Sequence, residues 1–255
     1  MSTALLEGRG VTRSFGGLLA LDRVDFAVAE GEILGIIGPN GAGKTTLFNI
    51  VAGTLAPTAG RVRFRGRDLV GLAAHEVVRA GIARTFQGAE LFPNMTVLDN
   101  VMAGAHAQLR AGFLAAALRS RQSRADAAAV DRMARHLLAT VGMAGREDVP
   151  APDLPSGEQR LVAIARALAT GADVLLLDEP GAGLNESEKA ELAAVIGRLP
   201  ASGKTVLLVE HDMRLVMGLA ERIMVLDHGE KIAEGRPASI RGDPRVLEAY
   251  LGTED

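Results

Sequence analysis

Residues 38–45 read Gly-Pro-Asn-Gly-Ala-Gly-Lys-Thr, and no other stretch restricts the fold of this chain as tightly. Gly38, Gly43, Lys44 and Thr45 stand at the fixed positions of G-x-x-x-x-G-K-[ST]. A glycine-rich turn lets consecutive backbone N–H groups converge on phosphate oxygens, because no Cβ blocks the approach. Lys44 brings a charge to the β- and γ-phosphates of a nucleotide, and Thr45 a hydroxyl for Mg²⁺. Pro39, Asn40, Gly41 and Ala42 form the rest of the cradle. Thr46 opens a helix whose positive end adds to the anion site. The context agrees. Residues 32–37 read as a short buried strand, and residues 46–52 as a helix with Leu47, Ile50 and Val51 on one face and Gly53 as its stop. Gly203-Lys204-Thr205 repeats the ending, but Arg198 stands where the first glycine is required, so it reads as a plain turn into a strand.

The chain has 255 residues, 48% hydrophobic and 23% charged, enough for a substantial core in one domain. A net charge of −3 implies no global attraction to nucleic acid or anionic lipid. The absence of cysteine excludes disulfides and thiolate chemistry. No apolar run approaches the ~20 residues of a membrane span, and the first ten residues lack a signal peptide's apolar segment. The expectation is a cytosolic chain unless something else carries it to a membrane.

Val24, Phe26 and Val28 alternate with Asp25 and Ala27, which is strand periodicity with one buried face. Residues 61–65 alternate Arg with Val62 and Phe64. Their arginines read as the solvated face of a half-exposed strand in preference to a nucleic-acid stripe, because aromatics are few and the total charge is acidic. Residues 81–86 read as a strand ending at Gln87. Residues 97–141 are alanine-rich and helical in composition, interrupted at Gly104 and Gly112. Arg110, Arg119, Arg121 and Arg124 in that segment form either a docking face for a membrane partner or a solvated helix face. Pro150, Pro152 and Pro155 mark a linker. Ser156 and Gln159 fit a capping box for a helix bearing Leu161, Ile164 and Leu168. Residues 174–177 form a continuous apolar run, as a central strand would. Asn185 caps another helix, residues 205–209 form another buried strand, and residues 222–233 a hairpin turning at Asp227-His228-Gly229. Asp243-Pro244 starts a last short helix. This alternation gives an α/β fold with a mainly parallel sheet, the phosphate loop at a strand's carboxyl end.

A phosphate loop holds a nucleotide, and hydrolysis needs more. The strand 174–177 delivers Asp178 and Glu179 at its end. Asp178 can fix Mg²⁺, and Glu179 can polarise the attacking water as general base. His211 and Gln87 follow strands of the same sheet. Each is either a structural side chain or a group that reaches the γ-phosphate.

Together these residues resemble the ATP-binding subunit of ABC transporters over nearly the whole chain. The resemblance rests on the order of residues 38–45, Gln87, Leu154-Pro155-Ser156-Gly157-Glu158-Gln159-Arg160, residues 175–179 and His211. Arg84-Thr85-Phe86-Gln87, Pro180-Gly181-Ala182-Gly183-Leu184-Asn185, Glu210-His211-Asp212-Met213 and Ala249-Tyr250-Leu251-Gly252 are similar to the LivG-like branch. That branch energises uptake of branched-chain and related hydrophobic amino acids. The urea-uptake and lipopolysaccharide-export ATPases are similar.

The resemblance implies one domain over residues 1–255 with a P-loop NTPase core, an antiparallel β lobe and a helical sub-lobe over about 88–165. It implies ATP and Mg²⁺ as cofactors, with Thr45, Gln87 and Asp178 at the metal and Glu179, His211 and Gln87 in catalysis. Phe15 matches the aromatic that stacks on adenine; a core aromatic beside a Gly-Gly turn is its other reading. Ser156, Gly157 and Glu158 fall on the signature that acts on the nucleotide of a facing subunit. Here the chain departs from Leu-Ser-Gly-Gly-Gln: Pro155 stands at the serine position, Ser156 at the first glycine and Glu158 at the glutamine. Ser156 either replaces the hydroxyl from one position later or only caps its helix. The implied partners are a second ATP-binding subunit, identical or paralogous, the transmembrane permease subunits and, indirectly, an extracytoplasmic substrate-binding protein. No nucleic acid is expected, and the implied location is peripheral, on the cytoplasmic face of the plasma membrane. A soluble ABC ATPase acting on nucleic acid is the rival, favoured only by the arginine stripe. A non-hydrolysing regulator is disfavoured by the Asp178-Glu179 pair.

Overall fold

The computed structural model describes residues 4–85, 90–105 and 121–251, with the backbone alone for 121–124. Among the described residues ten strands divide into two sheets. β1 (Leu6–Phe15), β2 (Leu18–Val28), β4 (Ala59–Phe64) and β5 (Arg67–Asp68) form an antiparallel sheet in the order β2-β1-β4-β5. β3 (Ile33–Ile37), β6 (Ile82–Thr85), β7 (Val174–Asp178), β8 (Thr205–Val209), β9 (Arg222–Asp227) and β10 (Glu230–Gly235) form the second, in the order β10-β9-β3-β8-β7-β6. Every pairing from β9 to β6 is parallel, and β10 returns antiparallel on β9.

β3, β7 and β8 are buried at all five positions, as the apolar runs 174–177 and 206–209 require of central strands. Successive side chains point to opposite faces. Leu175 and Leu177 therefore enter one core with Leu161, Ile164, Leu192 and Ile196, while Leu176 enters the other with Phe48, Phe26 and Val62. The second core joins the parallel sheet to the antiparallel one through α1 (Lys44–Val51). Val24, Phe26 and Val28 are buried as their alternation indicates. So are Val62 and Phe64, while Arg65 pairs with Asp173 at 3.0 Å, the behaviour of a solvated face.

The remaining helices are α2 (Ala74–Ala80), α3 (Val97–Ala105), α4 (Arg121–Thr140), α5 (Ser156–Ala169), α6 (Glu186–Arg198), α7 (Met213–Leu219), α8 (Pro237–Arg241) and α9 (Pro244–Leu251). α3, α4 and α5 pack on one another. Gly104 does not interrupt the helical stretch. It lies inside α3 where that helix meets α5, and a Cβ there would stand 2.1 Å from the Arg166 carbonyl oxygen. Gly112, Arg110 and Arg119 lie outside the described residues.

Two helix starts differ from the sequence reading. α1 begins at Lys44, two residues before Thr46, so the lysine itself belongs to the first turn. The capping box at Ser156 and Gln159 does not form. Pro155, with φ −53° and ψ 153°, takes the cap position without a side-chain bond, and Ser156 becomes the first helical residue. Gln159 turns back to the Leu154 carbonyl at 2.8 Å. The ring of Pro155 already holds φ where a chain entering a helix needs it, which moves the register one residue earlier. At α6 the expected cap does form: Asn185 accepts from the Glu188 N–H at 3.0 Å and Glu188 from the Asn185 N–H at 3.0 Å.

Candidate nucleotide site

The loop 38–45 leaves the carboxyl end of β3, between β9 and β8, and turns directly into α1. Gly43 has φ 101°, and a Cβ on it would lie 2.6 Å from the Ala20 carbonyl oxygen. Only glycine satisfies both conditions. The β9–β10 turn backs the loop, the Gly229 N–H donating to the Ala42 carbonyl at 3.2 Å. Lys44 is buried, and its Nζ donates to the Gly38 and Pro39 carbonyls at 2.6 and 2.8 Å. Burial pushes the Lys44 ammonium below its ordinary pKa, and the charges of Glu179 and Asp178 oppose that shift. Thr45 is exposed beside it and Thr46 half-buried.

Asp178 ends β7, with Glu179 one step beyond. Glu179 holds φ 46°, a left-handed backbone that costs a residue with a Cβ ~1–2 kcal/mol. Its N–H bonds the Val209 carbonyl on β8 at 2.8 Å, which holds the unusual turn. His211 follows the end of β8, and its Nε2 lies 2.8 Å from Glu179 Oε1. The structure thus brings Lys44, Asp178, Glu179 and His211 to one end of the sheet. Gln87 lies outside the described residues, and the strand leading toward it, β6, is the edge beside β7.

Phe15 is not a core aromatic. It ends β1 at the tip of the β1–β2 hairpin, 44% exposed, with the Arg13 guanidinium 4.4 Å from its ring centroid. Further down that hairpin, Ala20 touches the loop at Gly43. An exposed ring at the tip of the hairpin that touches the loop suits base stacking. Phe15→Ala is expected to weaken ATP binding ~5–50-fold, within the ~1–3 kcal/mol that base–aromatic stacking contributes. Equilibrium binding of a fluorescent ATP analogue checks it; an unchanged affinity removes the stacking role.

Ser156, Gly157 and Glu158 stand elsewhere, at the start of α5. Their described partners are Glu188 and Arg146, not residues of loop 38–45. The Gly157 N–H donates to Glu188 Oε1 at 3.2 Å, and Glu158 accepts from Arg146 at 3.0 Å. Ser156 is exposed.

Arg84 and Glu210 received no role from the sequence, and Glu188 only one as an acidic residue in the first turn of its helix. Arg84, on β6, bonds Asp178 Oδ2 at 2.6 Å. Glu210 is buried and accepts from the Gly181 N–H at 2.5 Å and the His211 N–H at 3.1 Å. It joins the turn after Glu179 to the histidine. Burial raises the Glu210 carboxyl's pKa, and the backbone N–H bonds counter it. Glu188 spans the Asn185 cap and the first turn of α5. The lone charge in the strand Ile82–Thr85 is the sequence signal for Arg84.

Residues 21–182 match the family model described as ABC transporter. The chain belongs to the ABC transporter family. A second model, described as branched-chain amino acid ATP-binding cassette transporter, matches residues 230–255 of the cassette. The high-affinity branched-chain amino acid transport ATP-binding protein LivG of Salmonella typhimurium is 43% identical over 254 residues, 99% of each chain. BraF of Pseudomonas aeruginosa, with the same description, is 42% identical over 253 residues, again 99% of each chain. Among solved structures, the ADP conformation of MJ1267, an ATP-binding cassette of an ABC transporter, superposes with a TM-score of 0.86 at 31% identity, covering 98% of this cassette and 99% of that chain. A dimeric post-hydrolysis structure of the cassette MJ0796 bound to ADP and Pi has a TM-score of 0.76 at 28% identity, covering 91% and 98%. Loop 38–45, Asp178 and Glu179 all lie within the matched residues 21–182.

Proposed function

We propose that this cassette binds and hydrolyses ATP to drive an importer of branched-chain or related amino acids. The observation that carries this reading is the match along 99% of both chains to LivG, together with the branched-chain family match at residues 230–255.

The residues present fit Mg²⁺. Among the described residues no three His, Cys, Asp or Glu side chains are grouped so as to hold a metal ion by themselves. One buried carboxylate, Asp178, and one exposed hydroxyl, Thr45, suit a cation that takes its other oxygens from phosphates and water. When bound, that ion would neutralise charge on the β- and γ-phosphates. The chain's own residues do the rest. Lys44 exchanges the Gly38 and Pro39 carbonyls for phosphate oxygens. Glu179 accepts a proton from the attacking water, and His211 holds the Glu179 carboxylate in place through the 2.8 Å contact. Phe15 stacks on adenine.

In one chain the Gly157 N–H is bonded to Glu188, and a second cassette supplies its Ser156–Gly157 edge to complete each site. Two cassettes close on ATP and reopen after hydrolysis, and that movement is passed to permease subunits. Among the described residues no helix is long and apolar enough to cross a membrane. We place the cassette at the cytoplasmic face of the plasma membrane, held by the permeases. An extracytoplasmic binding protein selects the cargo.

Specific ATPase activity should rise with protein concentration through the dimerisation range. Activity that stays constant down to a proven monomer would overturn the shared site. Uptake of radiolabelled leucine should be lost in cells that carry only Glu179→Gln; uptake at the normal rate would refute the amino-acid assignment.

A further inference from the structure

Arg84 lies on β6, three residues before Gln87, in a position where the sheet would accept an apolar side chain. Its side chain is only 10% exposed, and it reaches in two directions. Nη2 bonds Asp178 Oδ2 at 2.6 Å, and Nη1 bonds Asn49 Oδ1 at 2.5 Å. Its guanidinium carbon stands 5.9 Å from the centroid of the buried Phe48 ring. Asn49 lies on α1, one helical turn after Thr45. One guanidinium therefore ties together three elements: α1, which carries Thr45; the end of β7, which carries Asp178; and β6, which leads to Gln87. The first two bear Thr45 and Asp178, the described residues that would hold the metal.

We propose that Arg84 is a positioning residue of the metal site, fixing the Asp178 carboxylate relative to Thr45 by bridging it to Asn49. A lone carboxylate at a strand end rotates about its own bonds. With Oδ2 committed to a guanidinium that is itself anchored on α1 and packed by Phe48, Asp178 presents Oδ1 to the metal in one orientation. Arginine suits this because its planar fork can serve two acceptors at once; the lysine ammonium is a point charge and cannot reproduce the bridge. The opposing effect is charge repulsion between the guanidinium and the cation. Lysine at the same position keeps that charge, so a change on Arg84→Lys reports geometry.

The inference rests on ATP binding at loop 38–45, and the test separates the two. Binding of mant-ATP is measured in EDTA and across a Mg²⁺ titration for the native protein, Arg84→Lys and Asn49→Ala. Both variants should keep the EDTA affinity within ~2-fold. The Mg²⁺ midpoint should rise ~10-fold or more in Arg84→Lys, in the range seen when a group orienting a metal ligand is lost. It should rise by a smaller factor in Asn49→Ala, which leaves the Arg84–Asp178 pair in place. Thermal unfolding of the metal-free proteins records the structural contribution separately. A Mg²⁺ midpoint unchanged in either folded variant overturns the proposal, and Asn49→Ala alone decides it if Arg84→Lys does not fold. Failure of the native protein to bind mant-ATP in either condition would instead refute nucleotide binding at the loop.

Discussion

Glu179→Gln is expected to bind ATP as the native cassette does and to hydrolyse it ~10²–10⁴-fold more slowly, the range of a lost general base. The substitution is nearly isosteric. The φ of 46° is set by the backbone bond to Val209 and by the turn itself, so it survives the change. A glutamine amide can still meet His211 Nε2, now at 2.8 Å from Glu179 Oε1, but it cannot take a proton from water. The variant should therefore accumulate an ATP-bound dimer. Phosphate release, nucleotide binding and size-exclusion chromatography with ATP measure the three parts. Turnover near the native rate would remove Glu179 from the proton transfer.

Lys44→Ala should act on binding first. Lys44 is 6% exposed, and its ammonium already donates to the carbonyls of Gly38 and Pro39. ATP has only to replace those carbonyls with phosphate oxygens. A hydrogen bond to a charged group contributes ~1.5–3 kcal/mol, so losing the ammonium should weaken ATP ~10–10²-fold, with a further loss of turnover as charge develops on the γ-phosphate. Lys44→Arg should not restore function, because a larger fork does not fit a buried, close-packed point-charge position. Titration of a fluorescent ATP analogue and a steady-state ATPase assay check both variants. Native-like affinity in Lys44→Ala would mean that the loop amides alone hold the nucleotide.

Much of this site was legible in the residue order. Loop 38–45 and the run 174–179 each carry a chemistry that local sequence shows, because the groups that act together are neighbours. Phe15 had two readings, and exposure at the hairpin tip removes the core-aromatic one. Arg84 and Glu210 stood in quoted motifs without a role. Arg84 meets Asn49 and Asp178 across separations of 35 and 94 residues, and the Glu210 bond to Gly181 spans 29. No periodicity reports such contacts. The start of α5 was misread by one register position because Ser-x-x-Gln imitates a capping box, and Pro155 had already taken the cap.

Alone, the sequence determined the glycine-rich loop between strand and helix, the acidic strand end and the α/β alternation, since each depends on spacing along a helix, a strand or a turn. The tertiary structure decided which distant side chains meet. Sheet order β3-β8-β7-β6 sets the strand ends side by side, so Lys44, His211, Glu179 and Arg84 arrive at one edge from four separate stretches of chain. It also decided that the Gly157 N–H faces Glu188 instead of the chain's own cradle. A strand's register and a helix's packing are settled by burial of whole faces, and that burial exists only once the sheet has closed around its two cores.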